Sequence, residues 1–134
     1  MLTPVDQSSW SGQGFEFVQE QLSPGGLVLA ARGELDAAAV PKMRELLEAA
    51  IDAGRVPIVV DLSEVSFIDS LSLATIVRAQ QRAGGSARMA LVARHPYVLL
   101  ILQAGGLDSV LAVFETRADA ESYVHGADEP GTPG

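Results

Sequence analysis

The stretch VPIVVDLSEVSFIDSLSLATIVRAQQRAGG, residues 56–85, decides the fold. It contains the most apolar run of the chain, residues 58–60, and a β-branched run of this kind predicts a central strand that is covered on both faces. A short turn and a second apolar pair are expected next, followed by Asp69-Ser70 and a helical pattern. We therefore expect a buried strand that delivers an acidic and a hydroxyl side chain to the start of a helix.

Strand and helix patterns alternate through the rest of the chain. The front of the chain predicts an antiparallel hairpin, because Ser-Pro-Gly-Gly at residues 23–26 is typical of a turn between two apolar segments. Helices are predicted from about residue 38 to 53, 70 to 83, 96 to 103 and 116 to 124, and later strands at 87–93 and 110–114. This order predicts an α/β fold with a mixed, mostly parallel β-sheet, an N-terminal antiparallel hairpin and about four helices.

The length of 134 residues suits one domain with its own hydrophobic core. We expect that domain over residues 14–125. The polar residues 1–13 are predicted to form a flexible arm, and the Gly- and Pro-rich residues 126–134 a disordered tail.

Composition argues against several classes of function. The net charge is -8, and the nine basic residues are spread along the chain, so neither nucleic acid nor an anionic membrane is an expected partner. The absence of cysteine excludes disulfides and thiolate metal sites. Neither a signal peptide nor a membrane-spanning run is visible, so a cytoplasmic location is expected.

Motifs for catalysis or for cofactor binding are not evident. The three Gly-Gly pairs fit no phosphate-binding loop, and two of them follow predicted helices, as helix C-caps do. His95 has no ligand partner at i+3 or i+4, His125 lies near the polar tail, and Ser70 is not in a nucleophile elbow. Asp61 and Asp69 could form an acid/base pair, but both occupy ordinary turn positions. We expect no enzyme activity, no metal and no cofactor.

Asp69-Ser70 allows two interpretations. Asp and Ser are preferred helix N-caps, and local chemistry alone favours this structural role. The alternative is a phosphorylation site, because a phosphate at a helix N-terminus is stabilised by free N–H groups and by the helix dipole. Its added charge, about -1.5 to -2, would change the binding of a partner without unfolding the domain.

Several segments together resemble the STAS domain family of bacterial anti-sigma factor antagonists. The matching motifs are GELD at residues 33–36, IVVDLS at 58–63, FIDS at 67–70, Gly84-Gly85, and PYV at 96–98 followed by GGL at 105–107. The resemblance covers roughly residues 15–124 and implies a STAS-like fold.

The resemblance also implies a function. Such proteins bind an anti-sigma factor, often a serine kinase, and so release a sigma factor for transcription. The kinase phosphorylates a serine at the start of the helix after the third strand, which ends binding, and a phosphatase reverses the reaction. By position the phosphoacceptor is Ser70, preceded by Asp69, and Asp36 contributes to the partner contact. A monomer or a weak homodimer is expected.

The sequence departs from the usual family pattern, Asp-Ser-Ser/Thr-Gly-Leu, at two positions. Leu71 replaces a hydroxyl residue and is either an exposed docking contact or part of the core. Ser72 replaces a glycine and either competes as phosphoacceptor or hinders docking. The expected partner-binding residues are Asp36, Asp69, Ser70, Leu71 and Ser72. The alternative function is a scaffold or sensory STAS module in a signalling assembly without kinase control.

Overall fold

The computed structural model describes residues 8–11, 14–85 and 88–126. In this part of the chain, four α-helices cover one six-stranded sheet. The elements in chain order are β1 (Ser8–Ser11), β2 (Phe15–Leu22), β3 (Gly26–Leu35), α1 (Val40–Asp52), β4 (Ile58–Ile68), α2 (Ser70–Ala83), β5 (Met89–Val92), α3 (Pro96–Ala104), a short 3-10 helix (Leu107–Ser109), β6 (Ala112–Phe114) and α4 (Arg117–Gly126). None of these helices is long and apolar enough to cross a membrane.

The strands lie in the sheet in the same order as in the sequence. β1, β2 and β3 pair in antiparallel fashion, whereas β3, β4, β5 and β6 pair in parallel. The predicted mixed, mostly parallel sheet with an N-terminal hairpin is therefore confirmed. β4 lies between β3 and β5, as its apolar run predicted for a central strand.

Alternation along the strands separates two hydrophobic cores. Ile58 and Val60 belong to the larger core, which also contains buried residues of α1, α2 and α3. Val59 points the other way, because successive side chains of a strand face opposite sides of the sheet. It belongs to the smaller core with Ala120 and Val124 of α4.

Local side-chain chemistry explains the helix starts. Pro41 lies in the first turn of α1, which begins at Val40, because proline lacks the N–H that later turns require. The Asp69 carboxylate accepts the Ser72 N–H at 2.8 Å and caps α2. The Thr116 hydroxyl accepts the Asp119 N–H at 3.1 Å before α4.

Residues 8–11 differ from the flexible arm that was predicted for them. They form β1 against β2, and the Trp10 ring lies 5.3 Å from the Phe15 ring and 5.1 Å from the Lys42 ammonium. These contacts hold a polar segment that has no apolar alternation of its own. The remainder of the predicted arm, residues 1–7 and 12–13, lies outside the described residues. So does the predicted tail at 127–134, whereas Gly126 is the last residue of α4.

The turn predicted after the apolar run of β4 is also wrong. β4 continues to Ile68, with Val65 and Ile68 buried between more exposed polar positions. Its pairing with β3 shifts register twice, so bulges accommodate the turn-like residues inside a continuous strand. At the second shift Gly33 has φ +92°, and a Cβ there would collide with the Gly14 carbonyl oxygen.

Candidate functional site

Two neighbouring strand ends bring the predicted site residues together. Leu35 at the end of β3 pairs with Ile68 at the end of β4, and the Asp69 N–H donates to the Leu35 carbonyl at 3.1 Å. Because both strands run parallel, Asp36 and Asp69-Ser70 leave the sheet at the same edge. The geometry therefore places an acidic turn beside the start of α2, and this edge is the candidate site.

Ser70 is the first residue of α2, and its side chain is exposed. Among the described residues its hydroxyl has no hydrogen-bond partner, because the capping bond is made by Asp69 instead. The first N–H groups of a helix have no partner within the helix, so the surface around this hydroxyl favours an anion. The Ser70 hydroxyl can therefore be modified without the loss of a capping hydrogen bond.

Ser72 has the opposite environment, so its side chain does not join the exposed groups expected to contact a partner. Its side chain is 0% exposed, and its Oγ donates to the Leu35 carbonyl at 3.1 Å. Helical spacing explains this placement, because residues 72 and 76 lie on the same face and Ile76 is in the core. A buried hydroxyl can neither accept a phosphate from a kinase nor obstruct a docked protein.

Leu71 was expected to be either an exposed docking contact or part of the core, and its side chain is exposed. It is 48% exposed, and α3 presents two further exposed apolar side chains, Tyr97 at 38% and Leu100 at 58%. The Tyr97 ring stacks on Phe67 with the ring centroids 5.7 Å apart, which ties α3 to the end of β4. Leu71 is therefore an exposed side chain that a partner could contact, not part of the core.

An apolar groove begins at Ser70. It has a volume of about 200 Å³ and is lined by Ser70, Leu73, Ala74, Ile101, Gly105 and Leu107. The lining comes from the first turns of α2, from α3 and from the segment after α3. Any molecule bound in this groove would contact the Ser70 side chain.

Asp36 belongs to the same edge but does not cap α1. Its Oδ1 accepts the Ala38 N–H at 3.0 Å, whereas the N-cap position of α1 is Ala39, which has no side-chain bond. The carboxylate stabilises the turn after β3 and is exposed. Its negative charge is therefore available to a partner.

Asp61 does not join Asp69 in an acid/base pair. It accepts two hydrogen bonds from Arg117 at 3.0 and 2.9 Å, and Arg117 also donates to Glu20 at 2.8 Å. Burial alone raises the pKa of Asp61, but hydrogen bonds from Ser63 and the Arg117 charge lower it below its usual value. Asp61 thus ties β4 to α4, on the sheet face opposite to α2.

The sequence contained a signal for this ion pair. A carboxylate in an apolar strand needs a buried partner, and the chain offers few basic residues. Nothing in the spacing of Asp61, Arg117 and Glu20 identifies them as partners, because they are distant in sequence.

His95 has a structural role at the start of α3. The His95 Nδ1 accepts the Tyr97 N–H at 3.1 Å and caps α3. In the part of the chain that the structure describes, no three His, Asp or Glu side chains are grouped as metal ligands would be.

The chain is similar in sequence and in fold to known anti-sigma factor antagonists. The chain is 28% identical over 102 residues to the anti-sigma-F factor antagonist RsfB of Mycobacterium tuberculosis, covering 76% of this chain and 84% of the relative. The crystal structure of an anti-sigma factor antagonist from Mycobacterium paratuberculosis matches with a TM-score of 0.77 and 25% identity, covering 86% of this chain and 97% of that one.

The fold is also that of the Bacillus cell fate determinant SpoIIAA in its phosphorylated form. The TM-score is 0.62 at 25% identity, with 81% of this chain and 98% of that chain covered. The sequence model of the STAS domain matches residues 18–120, which include the whole stretch from β3 to β6. The chain therefore belongs to the STAS domain family.

Proposed function

We propose that this protein is an anti-sigma factor antagonist. It binds an anti-sigma factor of the serine kinase type through the edge formed by Asp36, Asp69, Ser70 and Leu71, and so releases a sigma factor. Phosphorylation of Ser70 ends the binding. The names of the relatives support the antagonist role.

The observation that carries the proposal is the contrast between two hydroxyls in the same helix turn. Ser70 is exposed and unbonded within the described residues, whereas Ser72 is buried and bonded to Leu35. A kinase that approaches the start of α2 would thus meet one hydroxyl there. Leu71 replaces the second hydroxyl of the family pattern, so the local sequence favours Ser70 as the single acceptor.

A phosphate on Ser70 would alter the surface while the domain remains folded. The N-terminus of α2 stabilises a negative group through its free N–H groups and its dipole. The new charge would stand beside Asp36 and Asp69, and at the mouth of the apolar groove. A partner with apolar contacts there would then lose affinity, because a phosphate placed in an apolar interface must be desolvated.

The apolar side chains at this edge fit the same role. Leu71 adjoins Ser70, and Tyr97 and Leu100 extend the exposed apolar surface along α3. Tyrosine is enriched among the residues that carry most of the binding energy at protein interfaces, and exposed apolar side chains around it add contact area. The exposed carboxylate of Asp36 would favour a basic residue on the partner.

Reversal by a phosphatase completes the cycle in this proposal. The hydroxyl lies on the surface, so a phosphate there would remain accessible to a hydrolase. SpoIIAA, a protein of similar fold, has been solved in a phosphorylated form, which supports the proposal that this chain is phosphorylated as well.

The test is a kinase assay with site mapping. Purified serine-kinase anti-sigma factors from the same organism are incubated with the protein and ATP, and the phosphate is located by mass spectrometry. We expect one phosphate, on Ser70, and none in Ser70→Ala. Phosphate on another residue would contradict the assignment. Equal binding of the partner by Ser70→Ala and Ser70→Asp would instead indicate a scaffold module without kinase control.

A further inference from the structure

A second and larger groove lies between α1 and α2. It has a volume of about 350 Å³ and shares no lining residue with the groove beside Ser70. Its floor consists of the buried side chains of Leu47, Thr75 and Ala79. Its rim consists of exposed polar and charged side chains, Arg44, Glu48, Arg78, Gln81 and Arg82.

Small residues on α2 explain why the two helices leave this space. Thr75 and Ala79 lie one turn apart on the face of α2 that meets α1. Neither is large enough to fill the gap above Leu47, so a cleft with an apolar floor remains. Little of the floor is accessible, because Leu47 is 0% exposed and Ala79 is 4% exposed.

The charge of the groove is opposite to that of the chain. The lining residues comprise three arginines and one glutamate, in a protein of net charge -8. Arg82 pairs with Asp52 at 2.9 Å. Arg44 and Arg78 have no ion-pair or hydrogen-bond partner among the described residues, whereas Arg32, Lys42 and Arg117 are all paired.

We propose that this groove binds a small organic phosphate. Guanidinium groups bind phosphate oxygens in paired, charge-assisted hydrogen bonds, and the two unpaired arginines match the charge of a phosphate dianion. The apolar floor would take the organic part of the ligand. The volume lies in the usual range for small molecules, roughly 300–1,000 Å³. The floor exposes too little apolar area for a protein helix to pack on it.

This site is independent of the proposed antagonist function. Ser70 does not line the groove, so Ser70→Ala should bind the ligand as the unchanged protein does. If phenyl phosphate does not bind, phosphorylation of Ser70 is still expected. If Ser70 is not phosphorylated, binding of phenyl phosphate is still expected.

The test is a titration of the full-length protein, followed by amide NMR shifts. The probes are phenyl phosphate and inorganic pyrophosphate, with phenol as the neutral control. We expect saturable binding of phenyl phosphate, with the largest shifts near Thr75 and Ala79, and no saturable binding of phenol. Pyrophosphate binding without phenyl phosphate binding would overturn the assignment to an organic phosphate. Failure of phenyl phosphate to bind saturably would overturn the proposal.

Charge variants locate the site. The double variant Arg44→Gln/Arg78→Gln should bind phenyl phosphate at least about tenfold more weakly, because it loses both guanidinium contacts. Glu48→Gln should bind about threefold more tightly, because it removes the one carboxylate of the rim. Arg94→Gln removes an exposed arginine outside the groove and should stay within about twofold. Unchanged binding by the double variant would overturn the proposal.

Discussion

Ser70 and Ser72 lie two positions apart in one helix and have opposite environments. The difference follows from the helical period, which turns Ser72 toward the core and Ser70 toward solvent. Sequence alone could identify both as hydroxyls near a helix start. It could not tell which one is free, because the burial of Ser72 depends on the Leu35 carbonyl at the end of another strand.

The two serines should therefore respond differently to substitution. Ser72→Ala should lower the free energy of unfolding by about 1 kcal/mol, because a buried hydrogen bond is lost. Ser70→Ala should remain within about 0.5 kcal/mol of the unchanged protein. Urea denaturation measures both values. An equal decrease in the free energy of unfolding for the two variants would contradict the buried environment of Ser72 and the exposed one of Ser70.

Among the described residues, Asp61 carries a buried carboxylate, and its charge contributes to stability. Its folded pKa lies below the unfolded value of about 3.9, so its contribution is fully present above that pH and is lost as the pH falls through the folded pKa. Asp61→Asn should cost about 2 kcal/mol at pH 7, less than for a fully buried pair because Arg117 is partly exposed.

The pH dependence separates this charge effect from packing. The difference in unfolding free energy between Asp61→Asn and the unchanged protein should shrink as the pH falls below about 4. Asp36→Asn is the matched control, since its carboxylate is exposed and it should differ by less than about 0.5 kcal/mol at any pH. A difference for Asp61→Asn that is constant from pH 7 to pH 3 would contradict the charge account.

At the scale of elements, the helix starts follow local chemistry. Pro41 placed the start of α1, Asp69 that of α2 and Thr116 that of α4. β1 was missed because its four residues are held by Trp10 contacts with Phe15 and Lys42, which no local pattern encodes. The continuity of β4 was missed because bulges accept residues that otherwise favour turns.

The elements around Ser70 also make a prediction about binding. Leu71→Ala/Leu100→Ala should weaken binding of the anti-sigma factor by about tenfold or more, because both side chains are exposed apolar contacts on α2 and α3. Calorimetric titration with the partner that phosphorylates Ser70 measures the change. Stability should vary little, since neither side chain belongs to the core.

Val110→Ala is the matched control for this pair. Val110 is 42% exposed, and its carbonyl accepts a hydrogen bond from Gln80, near the far end of α2. Gln80 is ten residues from Ser70, or about 15 Å along the helix axis. The control should bind the partner as the unchanged protein does. An equal loss of affinity for the control and for the pair would place the docking surface elsewhere.

At the scale of the whole molecule, the sheet separates the candidate site from a structural face. The parallel order of β3 and β4 brings Asp36 and Ser70 to one edge, while the Asp61–Arg117 pair fixes α4 on the opposite face. The sheet class and the members of the edge could be predicted from alternating patterns and motifs. The ion pair and the groove between α1 and α2 could not, because they depend on contacts between distant segments.

The affinity of the anti-sigma factor for the two forms of Ser70 tests the central claim most directly. The protein is prepared with and without phosphate on Ser70, and each form is titrated against the same kinase in a calorimeter. The account predicts that phosphorylation weakens binding by roughly 100-fold, or about 2.7 kcal/mol. Affinities that agree within about twofold would contradict the phosphorylation switch.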